Sequence, residues 1–382
     1  MRNIALDVHQ RYCEGCELGP DKKRRRFRFS NTLSEWEKFA ASLDQTTRVV
    51  LEATGNAFWI YDILSRHTEN VIIANPLQLR AIAEARVKTD KLDCDIMVQL
   101  LAADFIPAIC VPPREDRELR VLLQHRVRLT RQRTQLKNKI HATLMRNGLT
   151  SPCTDLFGKK GREFLTTLKL PGVEQIVLQS CLGLLDGFER EIATLDAEIC
   201  HRAKARPEAE LLMTIPGISV LSAMILLAEI GDITRFPSAK QLTSYAGLVP
   251  SVHQSGKTRY TGHITKTGRS ILRWILVQIA HKAVKSPGSL QSCYIRLKEK
   301  KGAKVAIVAI ARKLLSLIWV VLTRKVPYRD LREDLFKAKV RRMHRQAQPY
   351  PVDTDLNGRL LALLQRDADS TVRAGPEPMA AD

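Results

Sequence analysis

The sequence predicts an N-terminal α/β domain followed by all-α regions. The opening 111 residues contain short apolar or alternating segments separated by helical stretches. Beyond residue 112, apolar residues recur at helical spacing over two long segments. The composition is 45% apolar, which is enough to build folded cores and argues against a wholly disordered chain. The length of 382 residues suggests two or three domains.

Residues 1–111 are predicted to form the α/β domain. Five short segments have the alternation or the apolar content of strands: Ile4–Val8, Tyr12–Leu18, Arg24–Ser30, Val49–Leu51 and Val71–Ala74. A helix begins after Asn31, and a mostly helical stretch runs from Pro76 to about Asp104. Three meandering strands, followed by helices that alternate with strands, follow the order of an RNase H-like fold.

Residues 112–205 are predicted to form two long helices with a loop between them. The second helix carries a heptad of apolar residues at Leu178, Leu185, Ile192 and Ile199, whereas Arg126 interrupts the seam of the first. An intramolecular hairpin and a dimerising coiled coil both fit this pattern. The first helix is also strongly basic, so it could follow a phosphate backbone or simply present a solvated face.

Residues 206–326 are predicted to form a compact helical domain, and residues 327–382 a tail that is basic at first and then disordered. Within the helical domain, the segment Thr214–Ile218 followed by Leu221–Ile230 resembles a helix-hairpin-helix element. Such a turn offers backbone N–H groups to a phosphate without reading its sequence. An ordinary turn between packed helices is the alternative.

The charge balance predicts a polyanionic partner. The chain has 61 Lys and Arg against 40 Asp and Glu, which gives a net charge of +21. Nucleic acid is favoured over a membrane, because no basic amphipathic anchor and no apolar stretch of about 20 residues stands out. The N-terminus lacks the apolar segment of a signal peptide, so we expect a cytoplasmic protein. The eight cysteines are scattered, and Cys13 and Cys16 have no second ligand pair, which argues against disulfides and against zinc.

Four carboxylates form the first candidate site. Asp7 lies within the first strand, Glu52 ends a strand expected beside it, and Asp90 and Asp93 share one helix face. Acids gathered around one point repel one another unless a cation neutralises them, and hard oxygen ligands select Mg²⁺ or Mn²⁺. Metal ions held in this way can assist an in-line phosphoryl displacement. Each acid taken singly could instead be a surface or turn residue, and Asp95 is a rival that would point away from the Asp90 and Asp93 face.

A serine among cations forms the second candidate site. Ser255 lies beside Gly256 in a predicted short loop, and its hydroxyl could attack phosphorus. Loop serines are more often only solvated. The cations predicted to bind nucleic acid around it are Lys257, Arg259, Lys266, Arg269 and Arg273.

This arrangement resembles the DEDD transposases, which are insertion-sequence recombinases with a RuvC-like N-terminal domain and a serine-bearing C-terminal domain. The resemblance covers residues 1–326 and rests on these motifs: Leu6-Asp7-Val8, Leu51-Glu52-Ala53-Thr54-Gly55, Lys88-Thr89-Asp90-Lys91-Leu92-Asp93, Ile215-Pro216-Gly217 and Gly247-Leu248-Val249-Pro250 with Ser255-Gly256. Where family members often carry Ser-Ser-Gly-Gly, this chain has Gln254-Ser255-Gly256-Lys257. Ser255 is therefore the retained candidate, and Ser251 is its rival.

The resemblance implies a function for both sites. Asp7, Glu52, Asp90 and Asp93 match the acidic tetrad that binds Mg²⁺, and Ser255 matches the nucleophile that forms a covalent phosphoserine with a DNA end. It also implies a homo-oligomer, dimer or tetramer, with sites composed of two protomers, and a non-coding RNA from the element that chooses the DNA. A RuvC-type structure-selective endonuclease that uses water, and a non-catalytic nucleic-acid-binding protein, are the alternatives.

Overall fold

The computed structural model describes residues 1–82, 90–255 and 258–349. Contacts divide the chain into two compact units, Met1–Pro113 and a second that begins at Arg114. Residues 350–382, the larger part of the predicted tail, and the Lys88-Thr89 portion of the acidic motif lie outside the described residues.

The first unit contains the predicted α/β sheet. Its strands are β1 (Asn3–Val8), β2 (Tyr12–Leu18), β3 (Arg24–Ser30), β4 (Arg48–Glu52) and β5 (Val71–Ala74). They are arranged in the order β3-β2-β1-β4-β5. The first three strands form an antiparallel meander, whereas β4 runs parallel to β1 and β5 runs parallel to β4. The mixed α/β class expected from the sequence is therefore confirmed.

The alternation of side chains along each strand explains why helices cover both faces of the sheet. Helices α1 (Leu33–Ala41) and α2 (Ala57–Leu64) pack on the face that contains Ile4 and Leu6. Helices α3 (Pro76–Ile82) and α4 (Asp90–Ala102) pack on the face of Ala5. Asp7, two residues after Ala5, therefore points to the side of α4.

The second unit begins with a helical hairpin. Helices α5 (Arg114–Arg146) and α7 (Val173–Lys204) pack against each other, and α6 (Lys159–Thr167) lies in their connection. Arg126 interrupts the apolar seam because its guanidinium binds both carboxylate oxygens of Asp196, at 2.8 and 2.7 Å. The structure thus contains the intramolecular hairpin that was one of the two alternatives for this region.

The helical core follows in sequence. It comprises α8 (Pro207–Met213), α9 (Val220–Ile230), α10 (Ala239–Tyr245), α11 (Ser270–Ala283), α12 (Ser289–Lys301) and α13 (Ala303–Arg324). Helix α13 is long and apolar enough to cross a membrane, but half of its apolar segment is buried inside this unit. The indole N–H of Trp319 on α13 donates to the carbonyl of Phe236 at 2.8 Å. These contacts are those of a core helix.

Two elements differ from the expectation. The C-terminal region is not all-α, because β6 (Pro250–Ser255) and β7 (Thr258–Ile264) form an antiparallel hairpin. Part of the predicted tail is a helix, α14 (Glu333–Gln346), which packs on α7 and α8. Its apolar stripe of Phe336, Val340 and Met343 contacts the core, and Met343 is fully buried.

The turn between α8 and α9 is packed on two sides. Gly217 has a φ of +83°, and a Cβ on it would lie 2.7 Å from the carbonyl oxygen of Ile279 on α11. The ammonium of Lys339 on α14 donates to the carbonyls of Met213 and Ile215 at 2.7 and 3.3 Å. These contacts support the ordinary-turn alternative to a phosphate-binding hairpin.

Candidate functional site

The first unit places two of the four predicted acids side by side. In the parallel register of β1 and β4, Leu6 lies opposite Leu51, so the next pair in the same register is Asp7 and Glu52. Both residues belong to the face that α4 covers, because Ala5 and Val50 two positions earlier lie in that core. Both also lie at the carboxyl ends of their strands. Two oxygen-bearing side chains therefore occupy one edge of one face.

Helix α4, which packs on this face, carries the second pair of predicted acids in its first turn. Cys94 is buried against the sheet, and its thiol donates to the carbonyl of Glu14 at 3.5 Å. The negative charge of Asp7 contributes, after burial, to the raised pKa of the Cys94 thiol, about 12. Asp93 precedes this cysteine and is partly exposed. The side chain of Asp90 lies outside the described residues.

The donor set suits a hard divalent cation, since Asp7, Glu52 and Asp93 offer only carboxylate oxygens. Among the side chains that the structure describes, which omit that of Asp90, no three His, Cys, Asp or Glu are grouped closely enough to hold a metal ion. The four-acid site therefore stays a prediction, supported by the shared face of its strand residues.

Two further polar residues at this edge were not predicted from the sequence. The imidazole Nε2 of His9 lies 3.1 Å from Oδ2 of Asp7. Glu14 lies directly opposite Asp7 in the antiparallel register of β1 and β2. For Glu14, the alternation of β2 together with the register would have placed it on the face of Asp7. For His9, the Asp-x-His spacing alone would have indicated the same face as Asp7.

Asp95 is directed to a different partner. It is buried, and Arg26 donates to both of its carboxylate oxygens. Hydrogen bonding from Arg26 is the main cause that lowers the pKa of Asp95. Asp95 thus binds the edge strand of the sheet.

In the second unit, Ser255 is the last residue of β6, and it pairs with Thr258 across the hairpin. The expected short loop is therefore wrong for this position, since the serine ends a strand. Gly256, Lys257 and the side chains of Ser255 and Arg259 lie outside the described residues. The rival Ser251 lies near the base of the hairpin.

The base of this hairpin is fixed by close backbone contacts. Gly247 and Gly268 both have positive φ, 64° and 71°, and a Cβ on either would overlap a carbonyl oxygen of the facing segment. The amide of Thr265 donates to the carbonyl of Val249 at 2.9 Å. Arg273 donates to the carbonyls of Ala246, Thr267 and Gly268. The guanidinium of Arg273 therefore braces the hairpin.

Arg269, at the start of α11, also serves the fold. Its guanidinium donates to both carboxylate oxygens of Glu229, at 2.7 and 3.2 Å, and Glu229 is only 2% exposed. This hydrogen bonding raises the pKa of Arg269. Arg120 of α5 completes the cluster by donating to the carbonyl of Ala228 at 2.6 Å. Of the five cations predicted to bind nucleic acid, Arg269 and Arg273 are held by protein groups, whereas Lys266 is exposed.

Two family sequence models match the chain on either side of α7. Residues 4–147 match a model described as "Transposase", of the DEDD type, and residues 209–294 match the "Transposase IS116/IS110/IS902 family". The chain belongs to the IS110 family of insertion-sequence transposases. The first match contains the acidic face, and the second contains the β6–β7 hairpin.

Curated relatives are similar over most of the transposase. A transposase for insertion sequence element IS1111A from Coxiella burnetii is 28% identical over 300 residues, 74% of this chain and 79% of the relative. A probable family 20 transposase from Pseudomonas aeruginosa is 29% identical over 74% of this chain and 85% of its own length. A pilin gene-inverting protein from Moraxella bovis is 29% identical over 74% of this chain and 82% of its own length.

The family assignment establishes the class of chemistry. The transposase is an enzyme of DNA rearrangement, and it must therefore bind DNA. Its DEDD-type domain indicates the use of a divalent metal ion. Both agree with the charge of +21 and with the carboxylates on one face of the sheet.

Proposed function

We propose that this transposase cleaves and rejoins DNA through a covalent phosphoserine at Ser255, in a Mg²⁺-dependent site formed by Asp7, Glu52, Asp90 and Asp93. The observation that carries the proposal is the register that brings Asp7 beside Glu52 on the face covered by α4. Mn²⁺ could replace Mg²⁺, because the donors are carboxylate oxygens. We further propose that the first unit is RNase H-like.

Each protein group has a defined role in this mechanism. The four carboxylates hold the cation, which when bound supplies the positive charge that stabilises the phosphoryl oxygens. The hydroxyl oxygen of Ser255 attacks phosphorus and loses its proton, while the leaving DNA oxygen gains a proton. One phosphodiester bond is replaced by another. A DNA hydroxyl then attacks the phosphoserine, which restores Ser255 and joins the new strand.

Partners follow from the same proposal. The acids of one protomer meet the hairpin of another in a dimer or tetramer organised by the long helices, and a non-coding RNA of the element selects the DNA. Lys257, Arg259 and Lys266, together with the hairpin, contact nucleic acid, whereas Arg269 and Arg273 contribute by holding the hairpin in place. The net charge of +21 supports binding to two polyanions, DNA and RNA. The proposed reaction takes place in the cytoplasm.

The test is covalent retention of DNA by the denatured protein, purified from cells that carry the native locus so that any required RNA is present. We expect wild type to retain DNA, and both Ser255→Ala and Asp7→Ala to retain none. Ser251→Ala is the matched control, because it removes a hydroxyl from the same strand near the hairpin base, and it should retain DNA. Retention by Ser255→Ala would exclude Ser255 as the nucleophile.

The same experiment separates a nuclease that uses water. Such an enzyme would leave cut DNA in the cells, retain none on the protein, and lose cleavage in Asp7→Ala but not in Ser255→Ala. Asp7→Ala and Asp90→Ala should each lose activity that Mn²⁺ does not restore. Full activity in either variant would contradict the metal site.

A further inference from the structure

We propose that the edge strand β3 carries a binding row for the backbone of a DNA strand, formed by Arg24, Arg26 and Arg28. None of these residues belongs to the acidic site or to the β6–β7 hairpin. The row lies on the edge of the sheet, because β3 pairs with β2 on one side and is terminal in the strand order.

The spacing of the three arginines suits a phosphate backbone. Alternate residues of a strand point to the same face and lie about 6.7 Å apart, a separation comparable with that of successive phosphates along an extended strand of nucleic acid. The three side chains are 47%, 55% and 56% exposed, in chain order. From Lys22 to Arg28 the chain contains six cationic residues and no acid.

Carboxylates beneath the row hold the guanidiniums in place. Asp95, whose side chain is 8% exposed, binds Arg26 through both oxygens and lies 3.8 Å from a guanidinium nitrogen of Arg24. Nε of Arg28 lies 3.4 Å from a carboxylate oxygen of Glu14, and its guanidinium lies 3.5 Å above the ring of Tyr12. A guanidinium has five N–H donors, so the two-point contact of Arg26 with Asp95 leaves three for an anion on the solvent side, and the single contacts of Arg24 and Arg28 leave at least as many.

This arrangement differs from an ordinary solvated basic face. Half-exposed ion pairs contribute little to the stability of a fold. Asp95 is buried, and its negative charge attracts the arginines of the exposed strand β3. This attraction fixes the direction of long side chains that would otherwise lose conformational entropy on binding. The row is therefore prepared for a ligand that presents evenly spaced negative charges.

The row also points toward the acidic edge of the sheet. Arg28 lies opposite Glu14, and Glu14 lies opposite Asp7. Tyr12 lies between the row and the acidic edge, because its ring is beneath the guanidinium of Arg28 and 4.6 Å from the ring of His9. A strand bound along the row would thus lead to Asp7. This direction rests on the proposed metal site, whereas binding along the row does not.

The ligand is DNA because the family of the chain is that of transposases, which bind DNA. RNA has the same phosphate chemistry and is the competing outcome of the test. The full-length protein carrying Arg24→Gln and Arg28→Gln tests the row while Arg26 continues to neutralise Asp95. The control is Arg25→Gln with Lys38→Gln, which also removes two positive charges but from outside the row. Arg25 points to the opposite face of β3, and Lys38 is on α1.

The measurement is fluorescence anisotropy with a labelled 30-nucleotide DNA strand of mixed sequence, the matching duplex and the RNA of the same sequence, from 50 to 200 mM salt. Losing two phosphate contacts should reduce the slope of log K against log salt by about 1.4 for the single strand. The control should keep the wild-type slope. Arg24→Lys with Arg28→Lys should also keep it, because the slope depends on the number of phosphates that a cation neutralises.

An equal loss of slope in the row variant and the control would overturn the proposal, since it would show only a general effect of charge. An unchanged slope in the row variant would also overturn it, and a loss confined to RNA would assign the row to RNA instead. If the double variant does not unfold cooperatively, Arg24→Gln alone should reduce the slope by about 0.7. Failure of the proposed catalytic mechanism would appear in covalent retention and leave these slopes unchanged.

Discussion

The ion pair between Arg269 and Glu229 provides a sharp test, because the same arginine was predicted from the sequence to bind nucleic acid. The two side chains share two hydrogen bonds, and the carboxylate of Glu229 is almost fully buried. Arg269→Gln removes the positive charge and leaves a shorter, neutral polar side chain. The variant therefore leaves a buried carboxylate without its principal partner.

The size of the effect follows from this geometry. Removing one partner of a buried ion pair costs about 3 to 5 kcal/mol. The side chain of Arg269 is itself 41% exposed, and the guanidinium of Arg120 also interacts electrostatically with Glu229. Both effects place the loss at the lower limit, about 3 kcal/mol. A domain of this size loses about 2 to 4 °C for each kcal/mol, so the unfolding midpoint should fall by about 6 to 12 °C.

The assay is thermal unfolding followed by circular dichroism, together with the salt dependence of DNA binding. The control is Lys240→Gln, which removes one exposed charge from α10 and should leave the midpoint unchanged. Glu229→Gln combined with Arg269→Gln should recover part of the loss, because the buried carboxylate that lost its partner is no longer charged. If Arg269→Gln kept its midpoint but lost one unit of salt slope, the ion pair would not be structural and Arg269 would be a DNA ligand.

Two further predictions concern the packing of the second unit. Burial lowers the pKa of Lys339 from 10.5 to about 8, so between pH 8 and 10.5 the unfolded chain binds more protons than the folded chain. The stability of wild type relative to Lys339→Met should therefore rise with pH over this range. Urea unfolding at several pH values measures the difference, and a constant difference would contradict the prediction. Gly268→Ala should destabilise the protein by more than about 1 kcal/mol, because φ is positive there and the new Cβ would overlap the carbonyl of Tyr245. Gly187→Ala on α7 places its Cβ in open space and should stabilise the protein by about 0.5 to 1 kcal/mol. Equal effects of the two variants in unfolding experiments would refute the packing argument.

The sheet of the first unit could be predicted from the sequence because its strands are short segments that either alternate, as β1 does, or have a continuously apolar centre, as β4 and β5 do. Ile4, Leu6 and Val8 face one core while Ala5 and Asp7 face the other side, which is the pattern of a strand covered on both faces. The shared face of Asp7 and Glu52 required one further fact, the register, which no local pattern encodes. His9 and Glu14 were missed for the same reason.

Elements of the second unit were harder to predict because charge and exposure hide their periodicity. The β6–β7 hairpin is largely polar and exposed, so it lacks the apolar alternation of a core strand. In α14 the basic residues outnumber the apolar stripe that packs on the core. A count of charges also does not distinguish Arg269 and Arg273, which bind protein groups, from Lys266, which is exposed on the surface.

The close contacts at the base of the β6–β7 hairpin have a consequence for how this protein can change. Gly247, Gly268 and Arg273 hold the ribbon where it joins the helices, and none of them lies near Ser255 in the hairpin. Residues that determine folding are therefore separate from the residue proposed for chemistry. The segment from Gln254 to Arg259 can be exchanged for that of a relative as a cassette, and a chimaera should fold like the parent while acquiring the donor's reactivity.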